Sequence, residues 1–181
     1  MATWNSRGLR GSALEEYINL TNERYAENDM ALIQKVPTPI TPIEIDQQSR
    51  HITLAYFDKK STVDYIGIVQ GIPVCFDAKE CHEDTFPLHN IHKHQIAFMR
   101  AFERQGGIAF LILFFTHLDQ FYYLTFRRME EFVLRGENGG RKSFTRSELD
   151  PSWYFTRDGM LLVPYLDQLQ HDLDERDGAS V

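Results

Sequence analysis

The most constraining feature of the chain is an uninterrupted run of eight apolar residues at positions 108–115. The run is too short for the ~20 residues that cross a bilayer, so a membrane span is not expected. A strand of this composition has no polar side to turn toward water, and it therefore has to be covered on both faces. The sequence thus predicts an α/β fold with helices on both sides of a sheet.

Other segments alternate between helical and extended patterns. Apolar residues recur at helical spacing between positions 14 and 25, and Gln70-Gly71 separates two β-rich runs as in a hairpin. We predict helices at residues 12–28, from a cap at Asn90 to Gly106, near 127–134 and near 164–173. Predicted strands cover residues 30–36, 52–57, 64–69, 72–78, 108–115 and 121–125, with a loop at 135–151. This order predicts a mixed sheet sandwiched by helices.

Composition indicates a single domain over residues 1–181. The chain is 43% apolar, enough for one core, and its two cysteines, Cys75 and Cys81, are too few for a disulfide scaffold. The N-terminus lacks a signal-peptide pattern, so we expect a cytoplasmic protein. The net charge is −7, and residues 161–181 contribute five acidic residues against one arginine. Residues 172–181 are therefore predicted to form a flexible acidic tail.

The chemically informative stretch contains Asp64, Asp77 and Lys79. Residues two apart in a strand project from the same face, which places Asp77 and Lys79 together, and Asp64 begins the paired strand of the hairpin. Two carboxylates suit Mg²⁺, which takes few protein ligands and retains several waters. A nearby ammonium can contact the attacking water or balance charge on a phosphate transition state. The cluster predicts metal-dependent phosphodiester hydrolysis.

An Asp-x-Lys string also occurs as an ordinary surface ion pair. The surroundings argue for a functional cluster here, because Val74, Cys75 and Phe76 precede Asp77 in a strand that otherwise has core character. Charged groups within such a strand need partners.

The chain resembles the RecU-type Holliday-junction resolvases of Gram-positive bacteria, which belong to the PD-(D/E)xK nuclease superfamily. The matching blocks keep the family's order from about residue 7 to 145: Arg7-Gly8, Leu14-Glu15-Glu16, Thr21-Asn22, Pro37-Thr38-Pro39, Ala55-Tyr56-Phe57, Ser61-Thr62-Val63-Asp64-Tyr65, Phe76-Asp77-Ala78-Lys79-Glu80, Phe86-Pro87-Leu88, His94-Gln95 and Gly140-Arg141-Lys142-Ser143. The resemblance implies a restriction-endonuclease-like mixed sheet flanked by helices, with a projecting stalk.

The resemblance also implies a set of site residues. The divalent metal, Mg²⁺ with Mn²⁺ as the alternative ion, would be held by Thr62, Asp64, Asp77 and Gln95. Lys79 falls on the lysine that the family uses to stabilise the transition state. Many relatives carry Glu where this chain has Asp77, whose carboxylate reaches about one methylene less far.

Two alternatives remain open at the level of sequence. Glu15 could face the metal as a catalytic residue, or it could be the N3 residue of a capping box begun by Ser12. A zinc site could combine histidines 82, 89, 92 and 94 with Cys75 or Cys81, although the spacing suits a tetrahedral set poorly.

By resemblance, residues 37–58 correspond to the stalk that helps hold a four-way junction open in a homodimer. Three prolines, Pro37, Pro39 and Pro42, exclude a regular core element there. The stalk carries Glu44 and Asp46 and is less basic than in relatives. Candidate phosphate contacts are Arg7, Arg50, Lys59, Lys60, Arg141 and Lys142.

The sequence thus predicts a Mg²⁺-dependent endonuclease that resolves Holliday junctions by paired nicks. Its expected partners are four-way junction DNA, a second copy of the chain and other recombination proteins. The acidic balance motivates the alternative, a non-catalytic junction-binding or recombination-modulating protein on the same fold.

Overall fold

The computed structural model describes residues 12–57 and 62–178. Its helices are α1 (Ala13–Glu27), α2 (Lys93–Arg104), α3 (Phe126–Glu137) and α4 (Leu166–Gly178). Its strands are β1 (Ala31–Lys35), β2 (Ile40–Ile45), β3 (Ile52–Phe57), β4 (Tyr65–Val69), β5 (Ile72–Cys81), β6 (Thr85–Pro87), β7 (Ile108–Phe115), β8 (Gln120–Thr125), β9 (Ser143–Thr145) and β10 (Tyr154–Phe155). Within these ranges no helix is both long and apolar enough to span a membrane.

The main sheet has six strands in the order β1-β4-β5-β7-β8-β10. Strands β5 and β7 are parallel, and the other neighbours are antiparallel. Every residue of β7 is buried, as its continuous apolar sequence requires. The predicted α/β fold with a mixed sheet flanked by helices is confirmed.

Successive side chains of β5 point to opposite faces of the main sheet. Phe76 stacks between Tyr65 and Phe110 at centroid distances of 4.8 and 4.7 Å, on the face where Tyr165 also packs. The next residue, Asp77, points to the opposite face and contacts α2. Helix α3 adjoins α2 there, joined by an ion pair between Arg100 and Glu130 at 2.7 Å. The chemistry-bearing side of the strand therefore faces α2.

Strands β2 and β3 form a separate two-stranded sheet. Pro37 and Pro39 precede it, and the register shifts just after Pro42, where a backbone donor is missing. The side chains of residues 40–45 and 52–56 are exposed or half-buried, including the large apolar residues Ile40, Ile43, Ile45, Ile52, Leu54 and Tyr56. The segment predicted as the stalk is thus a hairpin outside the main sheet.

The expectation of a flexible tail from residue 172 is wrong for residues 172–178, which belong to α4. Asp172 is only 3% exposed and accepts a hydrogen bond from the Tyr123 hydroxyl at 3.1 Å. Arg176 donates to Asp172 at 2.7 Å and to both carboxylate oxygens of Glu103 at 2.8 and 2.9 Å. This polar network fastens α4 to the sheet and to the end of α2.

Two element boundaries also differ from the sequence prediction. Helix α2 is capped by His92 rather than Asn90, because Leu88–Asn90 forms a short 3₁₀ turn of its own. The predicted loop at 135–151 begins with the last turn of α3 and contains β9, which pairs with β6.

Candidate active site

The β4–β5 hairpin brings the two predicted carboxylates together. Its register pairs Tyr65 with Phe76, which sets Asp64 opposite Asp77. The Asp64 backbone N–H donates to Asp77 Oδ1 at 2.9 Å, and the Ala78 N–H donates to Asp64 Oδ2 at 3.0 Å. Each carboxylate is therefore fixed by a backbone donor from the other strand.

Lys79 completes the cluster as the sequence predicted. Its Nζ lies 2.6 Å from Asp77 Oδ2 and 3.7 Å from Asp64 Oδ2. The Asp77 side chain is fully buried, whereas those of Asp64 and Lys79 keep 26% and 21% of their surface exposed. The cluster thus has one closed side at Asp77 and an open side through which a substrate can approach.

Gln95 reaches the same carboxylate from α2. Its Nε2 donates to Asp77 Oδ2 at 2.6 Å, while its Oε1 accepts from the His92 backbone N–H at 2.9 Å. The amide nitrogen, and not the oxygen that would bind a metal, therefore faces the cluster. In this geometry Gln95 positions Asp77, and its role as a direct metal ligand stays a prediction.

Burial and the neighbouring charges shift the protonation equilibria of the cluster. Burial raises the pKa of Asp77 to about 6, with Lys79 opposing the shift and Asp64 adding to it. For Lys79, burial acts to lower the pKa, but Asp77, Asp64 and the more distant Glu15 together raise it above the usual value. Lys79 is accordingly a permanent cation at neutral pH, held between carboxylates that need positive charge nearby.

The donor set fits a small divalent cation. The Lys79 ammonium stands between two carboxylates, so the structure already places a positive charge at this point. Thr62 is half-buried and lies two residues before Asp64, and its role as a further oxygen ligand stays a prediction. In the described part of the chain no group of three or more His, Cys, Asp and Glu side chains is arranged to hold a metal. A site of two carboxylates suits Mg²⁺, which fills its octahedral shell with water and phosphate oxygens.

Glu15 combines features of both roles proposed for it. Its backbone N–H donates to Ser12 Oγ at 3.2 Å, which is half of a capping box. Its carboxylate does not complete the box but pairs with Lys35 Nζ at 2.8 Å. The negative charge of Glu15 also contributes to raising the pKa of Lys79, and its role as a catalytic residue stays a prediction.

Two contacts that position α1 and Gln95 were not predicted from the sequence. Glu80 Oε1 accepts from the Leu14 backbone N–H at 3.0 Å, so the residue after Lys79 caps the N-terminus of α1. His92, as the N-cap of α2, holds Gln95 through its backbone N–H. The sequence indicated the side of this contact, because Glu80 follows Lys79 directly and therefore projects from the face of β5 opposite to Asp77 and Lys79.

Comparison with known families identifies the relationship. The family model described as Recombination protein U matches residues 9–171. The chain belongs to the RecU family. A relative from Pediococcus pentosaceus, named Holliday junction resolvase RecU, is 42% identical over 164 residues, covering 88% of this chain and 82% of its own length. Relatives of the same name from Geobacillus sp. and Bacillus cereus are 42% and 41% identical and cover 79% and 78% of this chain and 73% and 72% of their own lengths.

Among solved structures, the chain is similar to the Holliday junction resolvase Hjc of Archaeoglobus fulgidus. The TM-score is 0.36 at 10% identity, covering 62% of this chain and 74% of Hjc. The resemblance of the blocks to the RecU family, expected from the sequence, is confirmed by the family model and the relatives.

The predicted phosphate contacts of this RecU-family chain are spread over several elements. Arg7, Lys59 and Lys60 lie outside the described residues. Arg50 lies in the turn that joins β2 to β3 and has a positive φ of 57°. Arg141 is 60% exposed and pairs with Glu148 at 3.4 Å, whereas Lys142 is exposed beside the N-terminus of α2. Their contacts with DNA stay predictions.

The histidines offer no zinc site that the geometry supports. The rings of His92 and His94 stack on each other at 5.4 Å, and neither joins a metal-holding group in the described ranges 12–57 and 62–178. Cys75 and Cys81 are both buried.

Proposed function

We propose that this RecU-family chain is a divalent-metal-dependent endonuclease that resolves Holliday junctions by paired nicks in recombination and repair. One observation carries the proposal: Asp64, Asp77 and Lys79 converge at the end of the β4–β5 hairpin, with Lys79 Nζ within 2.6 and 3.7 Å of the two carboxylates. Relatives at 42% identity are named Holliday junction resolvases. Chromosomal DNA as the substrate makes the bacterial cytoplasm the expected compartment.

Each residue of the cluster has a separate role in the proposed reaction. Asp64 and Asp77 would hold the metal, Mg²⁺ or Mn²⁺, with Thr62 as a further oxygen donor. A bound divalent metal would supply positive charge against the phosphate and a lowered pKa for a water molecule. Lys79 stays protonated and donates hydrogen bonds to the phosphate oxygens as their charge grows. Gln95 keeps Asp77 oriented through the contact at 2.6 Å.

Resolution of a junction by two opposed cuts needs two active sites related by a two-fold axis, so the proposed working form is a homodimer. The exposed apolar residues of the β2–β3 hairpin support the proposal that the stalk takes part in this assembly or in holding the junction. Arg7, Arg50, Lys59, Lys60, Arg141 and Lys142 are the proposed phosphate contacts. The family match over residues 9–171 supports treating the chain as one nuclease domain.

A non-catalytic junction-binding protein is the second candidate, favoured by the net charge of −7 and the acidic Glu44 and Asp46 of the stalk. One substitution separates the two functions. Under the nuclease proposal, Asp77→Asn abolishes cleavage of a mobile four-way junction in Mg²⁺ and retains or tightens junction binding, because one negative charge is removed near the phosphate. Under the alternative, neither protein cleaves and the substitution changes little.

The assay compares wild type, Asp77→Asn and the exposed control Asp174→Asn on junction, flap and linear duplex. We expect wild type and Asp174→Asn to cut the junction in preference to the other substrates. Equal cutting of all three DNAs would indicate a general nuclease of the same superfamily. Intact junction binding without any Mg²⁺- or Mn²⁺-dependent product from wild type would overturn the enzymatic proposal.

A further inference from the structure

A cavity beside the nuclease centre has the features of a nucleotide-binding site. We infer that it receives one unstacked nucleotide of the junction strand that passes the active site, with the base inside and its phosphates at the rim. The inference rests on the proposed function, since it places DNA at the cluster of Asp64, Asp77 and Lys79. It adds a substrate-contacting site to that cluster.

The cavity, of about 560 Å³, opens between the N-terminus of α2 and the C-terminus of α3. His92 lines it, and the backbone N–H of the same residue holds Gln95, which holds Asp77. The Gln95 side chain therefore links His92, at the cavity, to the buried carboxylate of Asp77. Its volume falls within the range of about 300–1,000 Å³ typical of small-ligand sites.

The floor of the cavity is apolar. Ile91 and Ile96 are buried there, and Leu88 and Val133 are half-buried. Gly136 of α3 also lines it, and a Cβ added there would make ordinary contacts, the nearest at 3.4 Å to Leu88 Cδ1. The flat faces of a nucleobase are the part of DNA that gains from leaving water for such a surface, whereas a phosphate alone does not.

The rim of the cavity is polar and carries an excess of positive charge. Lys93 and Lys142 stand at the rim with Glu137 as the acidic residue in the lining, and His92 is exposed next to Lys93. The lining thus has two lysines against one glutamate in a chain whose net charge is −7. The apolar floor therefore suits the base of a nucleotide, and the basic rim suits its phosphates.

A four-way junction can supply the occupant. Base stacking is interrupted where strands exchange between arms, and a base leaves the stack most easily where pairing or stacking is already disturbed. A base held in the cavity would fix the register of the strand relative to Asp77. The site would therefore contribute to the choice of the phosphate that is cut.

The test uses the Asp77→Asn protein, which leaves the DNA uncut, and junctions carrying 2-aminopurine at successive positions near the crossover. Unstacking of 2-aminopurine is read as increased fluorescence. The variant Gly136→Leu fills the cavity from α3. Its matched control is Gly136→Ala, because a Cβ there would meet Leu88 Cδ1 at 3.4 Å and Lys142 Cγ at 3.6 Å, which are ordinary contacts.

We expect fluorescence to rise at one position with Asp77→Asn and with the added Gly136→Ala, and to stay at the level of free DNA with the added Gly136→Leu. In an active background, Gly136→Leu should lower junction cleavage about tenfold, the order of loss when one stacked base loses its contact. Lys142→Gln should reduce both the fluorescence rise and the rate of junction cleavage, whereas Arg24→Gln on α1 should reduce neither.

The inference is overturned if no position responds, or if a folded Gly136→Leu protein gives the same rise as Gly136→Ala. It is also overturned if Lys142→Gln weakens binding while fluorescence never changes, because the rim then binds phosphate alone. Failure of the proposed function looks different: wild type would leave the junction uncut even where the fluorescence rise is present.

Discussion

Gln95 and Asp77 are joined at 2.6 Å through the amide nitrogen of one and Oδ2 of the other, across the boundary between α2 and β5. The orientation of the amide is fixed from both ends, because its oxygen accepts from the His92 N–H at 2.9 Å. A reversed amide would set oxygen against carboxylate and nitrogen against N–H. Asp77 is fully buried, so this donor is one of few groups that stabilise its charge.

Replacing Gln95 tests that dependence. Gln95→Ala should lower the rate of junction cleavage about 10- to 100-fold at limiting Mg²⁺, as expected for loss of a contact that orients the proposed metal ligand Asp77. Gln95→Glu should lower it further, since a second carboxylate would face Asp77. Single-turnover cleavage across a Mg²⁺ titration measures the effect. Arg104→Gln, in the last turn of α2, should behave as wild type, and a wild-type rate for Gln95→Ala would contradict the prediction.

The raised pKa of Asp77 predicts how stability depends on pH. Burial raises the pKa from 3.8 to about 6, so the stabilisation from protonated Asp77 is complete below about pH 4 and is lost as pH rises through about 6. In EDTA, the free energy of unfolding of wild type should fall on the order of 3 kcal/mol from this group between pH 4 and 7. Asp77→Asn should lack this component.

Urea unfolding at several pH values measures the difference in slope between wild type and Asp77→Asn. The exposed Asp174→Asn serves as the control and should retain the wild-type slope. Parallel curves for wild type and Asp77→Asn would show that the environment of Asp77 does not shift its titration.

The contact between Glu80 and Leu14 predicts a structural role for the residue that follows Lys79. Glu80→Ala should lower the free energy of unfolding by about 1–2 kcal/mol, since the first turn of α1 loses a charged acceptor for the Leu14 N–H. Glu80→Gln keeps an acceptor and should lose less. Hydrogen exchange of the Leu14 amide checks the mechanism, and exposed Glu83→Ala should leave it unchanged. Equal hydrogen exchange of the Leu14 amide in all variants would show that Glu80 does not hold the first turn of α1.

Arg176 predicts that the end of α4 is part of the folded core. Arg176→Met leaves Asp172 and Glu103 without their shared cation and should destabilise the protein by on the order of 3 kcal/mol. Truncation from residue 172 should destabilise it as well, because Tyr123 also loses its acceptor. Thermal unfolding measures both, with Asp174→Ala as the control. A truncated protein as stable as wild type would contradict this packing.

The fold and the cluster of Asp64, Asp77 and Lys79 were predictable where local rules apply. The apolar run of β7 required cover on both faces, and the period of two along β5 placed Asp77 and Lys79 on one side. The hairpin turn at Gln70-Gly71 then fixed Asp64 opposite Asp77, because a short turn determines the register of the two strands.

Contacts between distant segments could not be predicted in this way. Residues 172–178 have the polar composition of a solvent-exposed tail. Asp172 is nevertheless buried and accepts a hydrogen bond from Tyr123, 49 residues earlier, and Arg176 pairs with Glu103, 73 residues earlier. Glu80 reaches Leu14 across 66 residues. Periodicity carries no information about such pairs. Gln95 entered the site only through the family resemblance, because an amide on a helix has no spacing signature of its own.

The most direct measurement of the central claim is the product formed from a supercoiled plasmid that extrudes a cruciform. Two opposed nicks give linear DNA, whereas one nick releases the supercoiling, so the cruciform is reabsorbed. With Mg²⁺, wild type should produce linear plasmid, and Asp64→Asn or Asp77→Asn should leave it supercoiled. Nicked circles alone from wild type, or linear DNA from the Asp77→Asn protein, would contradict paired cleavage by this site.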